Sequence, residues 1–181
     1  MNANSIPPLN TRLCRRAGVL ALASGTVFLL VNTALWLVPR WSELAARSQA
    51  NLRTEPITLS PLVRSLGLGL STVYLGVLLW ALWTARRLFV RLAAGDVFRT
   101  ETGTLLRRFG LALLMYAGLG PLVGAAMSWI VTMQNEPPNR RLQLGVSDQD
   151  IVLALVGTLI VVIGSVLADA VRIADENRQI V

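Results

Sequence analysis

The chain has 181 residues, of which 54% are hydrophobic and 15% are charged, whereas about a quarter of the residues in a soluble domain are charged. All seventeen basic residues are Arg, there is no His, and Cys14 is the one cysteine. An internal disulfide, the usual transition-metal and haem sites and His-assisted nucleophilic catalysis are therefore excluded. We expect neither an enzyme nor a cofactor. We attribute the net charge of +7 to arginines in the loops of a membrane protein rather than to nucleic-acid binding.

Four apolar runs are long enough to cross a bilayer, which takes roughly 20 residues of helix. The first, residues 17–38, follows a polar start that contains Arg15 and Arg16. It is longer than the apolar region of a signal peptide, commonly about 7–15 residues, so we expect a retained span. Trp36 and Trp41 near its far end are predicted to be interfacial anchors. Residues 39–60 are predicted to be a polar connection with a possible very short strand at its end, Ile57-Thr58-Leu59.

The second span, about 62–83, begins after Ser60-Pro61, a favourable pair for starting a helix. Its helix is predicted to continue past the membrane as far as Gly95. A 3.6-residue period in this stretch places apolar residues on one face of the helix and arginines on the other. A turn over 96–99 then leads to Thr100, which is predicted to cap the next helix.

The third span, about 109–133, contains Gly120, Pro121 and Gly124. The small-residue spacing predicts close helix packing and the proline predicts a kink, with a dimer face or gate as the alternative. Residues 134–147 are predicted to be a polar loop with strand-like alternation, and Ser147 to Asp150 resembles a capping box that opens the fourth span, about 151–170.

The predicted fold is therefore all-α and integral to the membrane, a single domain over 1–181. Its four helices form two hairpins of the same orientation, with short extracytoplasmic loops and at most a tiny β-ribbon. Eleven arginines lie on the side of the termini and six on the other. The positive-inside rule then places both termini and the connector 84–108 in the cytoplasm.

The connector carries the candidate functional surface. Two interpretations are open: attraction to anionic lipid headgroups, or docking of a soluble protein on arginines around an apolar centre. The candidate residues are Arg86, Arg87, Leu88, Phe89, Arg91, Leu92, Phe98, Arg99, Arg107 and Arg108. No ionisable residue lies in the middle of a span, which argues against an ion-coupled pump but leaves a passive pore open.

Two segments carry a family resemblance. One runs from Gly95-Asp96-Val97-Phe98 through Thr100-Glu101 to Leu105-Leu106-Arg107-Arg108-Phe109-Gly110, and the other is the acidic tail 174–181 with its Ile-Val end. Together they resemble a bacterial membrane family, domain of unknown function 2975. The resemblance implies a four-helix protein of the bacterial inner membrane, often encoded beside a helix-turn-helix regulator, and it implies no catalytic residues.

We therefore expect a regulatory or sensory membrane protein that docks a cytoplasmic partner. The alternative is a passive transport or membrane-stress component that acts through the kinked third span. The sequence does not specify an oligomeric state.

Overall fold

A computed structural model describes residues 11–52, 57–94, 100–136 and 139–179. In that part of the chain there are five helices and no strand: α1 Thr11–Leu37, α2 Pro39–Ala50, α3 Pro61–Ala93, α4 Thr100–Thr132 and α5 Asp148–Gln179. Four of them contain segments that are long and apolar enough to cross a membrane. These segments are Arg16–Leu37, Pro61–Ala93, Glu101–Thr132 and Asp148–Ala174, and each overlaps one predicted span.

α2 corrects the prediction that residues 39–60 are only a connection. Pro39 stands at the start of this helix, where its missing N–H costs nothing. One face, which carries Ser42, Ala45, Ala46 and Ala50, is buried. Asn51 ends the helix in the left-handed conformation, with φ of 53°, and its N–H donates to the Arg47 carbonyl. The helix forms because tertiary packing of a small-residue face outweighs its low hydrophobicity.

The predicted strand-like segments are not strands. At residues 57–59, the N–H of Thr58 donates to the Val131 carbonyl at 3.3 Å, a single bond to the end of a helix rather than a ladder. In the later segment, Leu142 and Leu144 are both exposed, so the alternation buries no apolar face. Instead, the Ser128 hydroxyl of α4 accepts a hydrogen bond from the Gln143 N–H at 2.9 Å.

The continuation of the second span is helical, as the amphipathic pattern predicts. α3 is 33 residues long and ends at Ala93. α4 begins at Thr100, with Glu101 in its first turn, where the partial positive charge of the helix end is favourable for a carboxylate. The predicted end at Gly95 and the turn over 96–99 lie outside the described residues.

The described chain divides into two compact units whose boundaries fall within α1, α3, α4 and α5. Within the described residues, unit 1 comprises 11–25, 79–94, 100–114 and 155–179, and unit 2 comprises 26–52, 57–78, 115–136 and 139–154.

Unit 1 contains a close antiparallel crossing of α4 and α5, which we name the glycine seam. A Cβ added to Gly110 would lie 2.7 Å from the Gly157 carbonyl oxygen, and one added to Gly164 would lie 2.6 Å from the Arg107 nitrogen. Gly103 meets Ala168 in the same way at 2.8 Å. Because the missing side chains let the two backbones touch, the seam is stabilised by many short-range contacts rather than by large residues.

Unit 2 has a core in which α2 packs against α1, α3 and α4. It comprises Trp36, Ala45, Ala46, Ala50, Leu52, Val63, Met127 and Val131. Trp36 is only 1% exposed, so its predicted role as an interfacial anchor is wrong, whereas Trp41 is half exposed. The Trp36 indole occupies the space beside Gly67 of α3, where any added Cβ would overlap the ring.

Candidate functional site

The predicted connector surface corresponds in part to a groove between α3 and α4 in unit 1, which we name the basic groove. Its volume is about 620 Å³. It is lined by Trp83, Arg86, Arg87, Val90, Arg91, Glu101, Thr104, Leu105 and Arg108. The part of α3 that follows Trp83 provides most of the basic side chains, and α4 provides Arg108 and the one carboxylate.

Trp83 lies beside two of the four arginines that line the basic groove. The Arg86 and Arg87 guanidinium carbons lie 5.4 Å and 5.6 Å from the centroid of its ring, within cation–π range. Arg91 forms an ion pair with Glu101. In the part of the chain that the structure describes, Arg86, Arg87 and Arg108 have no ion pair. The groove therefore presents a net positive charge to whatever enters it.

The other predicted surface residues lie elsewhere. Leu88 is 7% exposed and belongs to the interior of unit 1, so it is not available to a partner. Phe89 and Leu92 are half-buried and do not line the basic groove. Arg107 is exposed, and its backbone lies in the glycine seam. Phe98 and Arg99 lie outside the described residues. The apolar part of the groove thus comes from Trp83, Val90 and Leu105, which sequence reasoning missed.

Unit 2 contains a second concave site, a cavity of about 480 Å³ that we name the polar cavity. Its polar lining residues are Asn32, Ser48, Gln49, Asn51, Ser71, Tyr74, Tyr116, Ser147, Gln149 and Asp150. Its apolar ones are Phe28, Val31, Leu35, Leu75, Val123 and Leu153, and three glycines complete the wall. No local sequence signal marks this site, because its walls come from α1, α2, α3, α4 and α5.

Two stacked tyrosines form one side of the polar cavity. The rings of Tyr74 and Tyr116 lie 4.2 Å apart with an interplanar angle of 10°. The Tyr74 hydroxyl donates to the Tyr116 carbonyl oxygen at 3.1 Å. This bond ties α3 to α4 and fixes the orientation of the pair.

Asp150 brings a carboxylate to the same cavity and completes the predicted capping box. Its N–H donates to the Ser147 hydroxyl, while its Oδ2 accepts from the Ser147 N–H at 2.9 Å and from the Ser147 hydroxyl at 2.7 Å. The other oxygen, Oδ1, faces α4, where a Cβ on Gly120 would lie 2.5 Å from it.

The residues predicted for packing and a kink also lie here. Gly120 and Gly124 line the polar cavity, and a Cβ on Gly124 would lie 3.6 Å from the Gln49 carbonyl oxygen. α4 is continuous through Pro121.

Gln49 itself has a buried Oε1 without a hydrogen-bond partner among the described residues. Within the same residues, no three His, Cys, Asp or Glu side chains form a group that would hold a metal ion.

These features define a helical protein with four apolar helices suited to a membrane. A family model described as protein of unknown function (DUF2975) matches residues 30–181, and the chain belongs to that family. The resemblance found from the two sequence segments is thereby confirmed. No curated protein and no solved structure matches the chain.

Proposed function

We propose that this is a regulatory or sensory protein of the bacterial inner membrane that works by binding, not by catalysis. In this proposal the basic groove docks an acidic segment of a cytoplasmic protein. The observation that carries it is the set of three arginines that line the groove, Arg86, Arg87 and Arg108, for which the described residues provide no paired carboxylate. Two of them, Arg86 and Arg87, lie over the Trp83 ring. Arginine binds carboxylates through two parallel hydrogen bonds, so aspartate and glutamate side chains complement this groove.

The proposed topology places the groove in the cytoplasm. Four spans return the chain to its starting side, and eleven of the seventeen arginines then lie on that side. With this orientation α1 and α3 form one hairpin, and α4 and α5 form a second of the same orientation. Both termini are cytoplasmic.

The length of the groove along α3, away from the membrane interface, favours a protein partner over a lipid headgroup. Trp83 marks the membrane interface in this proposal, because tryptophan concentrates there. Arg91 follows eight residues later, which is about 12 Å along a helix at 1.5 Å per residue. The headgroup layer on each side is about 5–8 Å thick. A headgroup thus reaches Arg86 and Arg87, whereas an extended acidic segment reaches along the whole groove. The regulator that the family resemblance implies is the first candidate partner.

The test uses the full chain in nanodiscs of phosphatidylcholine and a fluorescent peptide rich in Asp and Glu with one Phe. Arg87→Gln combined with Arg108→Gln should weaken peptide binding by at least about tenfold, since each lost charge-assisted bond contributes about 1.5–3 kcal/mol. Arg40→Gln combined with Arg141→Gln is the matched control, because it removes the same charge from exposed arginines outside the groove.

Three results would contradict the proposal. The peptide fails to bind, its Asn/Gln counterpart binds equally well, or both double variants lose the same affinity. A fourth arm replaces part of the lipid by phosphatidylglycerol. If that lipid displaces the peptide completely, a headgroup is the occupant and the docking proposal fails.

A further inference from the structure

The polar cavity of unit 2 contains a charge pattern opposite to that of the basic groove. Among the residues that line it, Asp150 is the one with a formal charge. Ligand pockets are typically about 300–1,000 Å³, apolar over most of their wall, with a few placed polar groups. The volume of about 480 Å³ fits that description.

The helix cap explains only part of Asp150. Capping requires a hydrogen-bond acceptor, and Oδ2 provides it to both donor groups of Ser147. A neutral amide oxygen would do the same, as it does in capping boxes that contain glutamine. The positive end of α5 also favours a carboxylate in its first turn. The cap uses only Oδ2, however, and no basic residue lines the cavity to pair with the carboxylate.

The tyrosine rings that line the cavity with Asp150 also present negative electrostatic potential. The faces of the stacked rings of Tyr74 and Tyr116 carry negative quadrupole density, which attracts cations within about 6 Å. A carboxylate and the faces of two aromatic rings complement a group that is positively charged and has N–H donors.

The apolar residues that line the cavity indicate what the uncharged part of the ligand is. Six aliphatic and phenyl side chains line the cavity, which favours an apolar body. A calcium ion takes six to eight oxygen ligands and a magnesium ion keeps a shell of waters, and neither uses aromatic rings or an apolar wall. The chemistry therefore favours an amine over a metal ion.

We propose that the polar cavity is a binding site for a small organic cation, an ammonium group on an apolar body, with the ammonium held between Asp150 and the tyrosine pair. Ser48, Asn51 and Gly145 lie at connections that the proposed topology places outside the cytoplasm, so the amine enters from that side. The site uses no residue of the basic groove, and its test is independent of the docking proposal.

The experiment titrates the purified full chain in detergent with three probes of similar size: phenethylamine, phenethyl alcohol and phenylacetate. We expect phenethylamine to bind at least about tenfold more tightly than the alcohol, because only the ammonium gains the charged partner. Phenylacetate should bind least. Asp150→Asn retains an acceptor for the cap and should reduce the affinity for phenethylamine to that for the alcohol.

Asp148→Asn is the matched control, since it removes an acidic residue from the same first turn of α5 that does not line the cavity. It should leave the preference for the amine unchanged. Should Asp150→Asn not fold, Tyr116→Leu provides the second variant. It should weaken binding of the amine by about threefold to tenfold and leave binding of the alcohol unchanged, because leucine replaces the apolar contact but not the π-face.

Equal affinity of the native chain for phenethylamine and phenethyl alcohol would overturn the proposal. It would also be overturned if the two asparagine variants lost the same affinity, because the effect would then arise from overall charge. A third contrary result is a Tyr116→Leu variant that binds all three probes as the native chain does.

Discussion

Replacing Gly110 by Ala tests the glycine seam at its closest point. The new Cβ would lie 2.7 Å from the Gly157 carbonyl oxygen and 2.8 Å from the backbone nitrogen of Val161. Ordinary contacts between such atoms are about 3.5–4.0 Å, so α4 and α5 must separate by about 0.8 Å or more. These two atoms belong to the backbone, so a rotamer change cannot move them aside, and the Val161 Cγ2 atom also lies 2.8 Å from the new Cβ. Overpacking of this kind costs about 1–3 kcal/mol.

Alanine has a higher helix propensity than glycine, by up to about 1 kcal/mol, which offsets part of that cost. We therefore expect Gly110→Ala to lower the free energy of unfolding by about 1–2 kcal/mol. Gly118→Ala on the same helix is the control, since an added Cβ there has nothing within 4 Å. It should be neutral or stabilising by up to about 1 kcal/mol. The two variants should thus differ by about 1–3 kcal/mol, the cost of overpacking, because the gain in helix propensity is common to both.

The assay is reversible unfolding in mixed micelles of dodecyl maltoside and dodecyl sulfate, followed by circular dichroism. A Gly110→Ala variant as stable as Gly118→Ala would show that the helices separate without cost, and the seam would then contribute nothing to stability. Gly157→Ala repeats the test from α5, where the added Cβ would meet the Gly110 carbonyl oxygen at 3.0 Å. It should be destabilising by a smaller amount.

Three further predictions concern unit 2 and the topology. Gly67→Ala should destabilise the protein by about 1–3 kcal/mol, because the new Cβ would overlap the buried Trp36 indole. Gly69→Ala has open space around it and should not be destabilising, and equal melting temperatures of the two variants would refute this. In intact cells, Cys14 should resist a membrane-impermeant maleimide, whereas the cysteine of a Ser48→Cys variant that also carries Cys14→Ala should react. Labelling of Cys14 from outside would reverse the proposed topology. Ser128→Ala removes the acceptor for the loop N–H at 2.9 Å and should speed hydrogen exchange over 141–145, and unchanged exchange there would show that the bond does not hold the loop.

Local rules predicted the starts of α3 and α5. Ser60-Pro61 predicted the start of α3, where the Ser60 hydroxyl accepts from the Val63 N–H at 3.3 Å, and the capping box at Ser147 is present as expected. Family membership was also correctly identified from two short segments. These features depend on residues close together in the chain, which sequence inspection detects directly.

Features that depend on tertiary contacts were missed. α2 has little apolar character, and its helix is stabilised by burying small residues against other helices. A signal was present, because Pro39 marks a helix start and Glu43 and Arg47 form an i,i+4 ion pair. The glycine seam uses Gly103, Gly110, Gly157 and Gly164, whereas the sequence interpretation selected Gly120 and Gly124 from a short motif. Only the pairing of α4 with α5 shows which glycines meet.

The polar cavity depends on still longer separations. Tyr74 and Tyr116 are 42 residues apart, and neither is unusual among hydroxyl-bearing residues in apolar helices. Asp150 was predicted as part of a cap, and that role gave no reason to expect a second one. The partners that give these side chains a shared environment come from other helices, so no pattern within one segment predicts them.

The lengths of the spans determine how the protein meets bilayers of different thickness. The stretches without a charged residue are 17–37 in α1, 65–85 in α3, 109–132 in α4 and 151–168 in α5, with 21, 21, 24 and 18 residues. At 1.5 Å per residue they are about 32, 32, 36 and 27 Å long, and the hydrocarbon core is about 30 Å thick. The stretch in α5, between Asp150 and Asp169, is therefore the one that is shorter than the core. In a bilayer that is a few ångströms thicker, the membrane must thin around α5, at a fraction of a kcal/mol per ångström. Hydrophobic mismatch therefore falls first on α5.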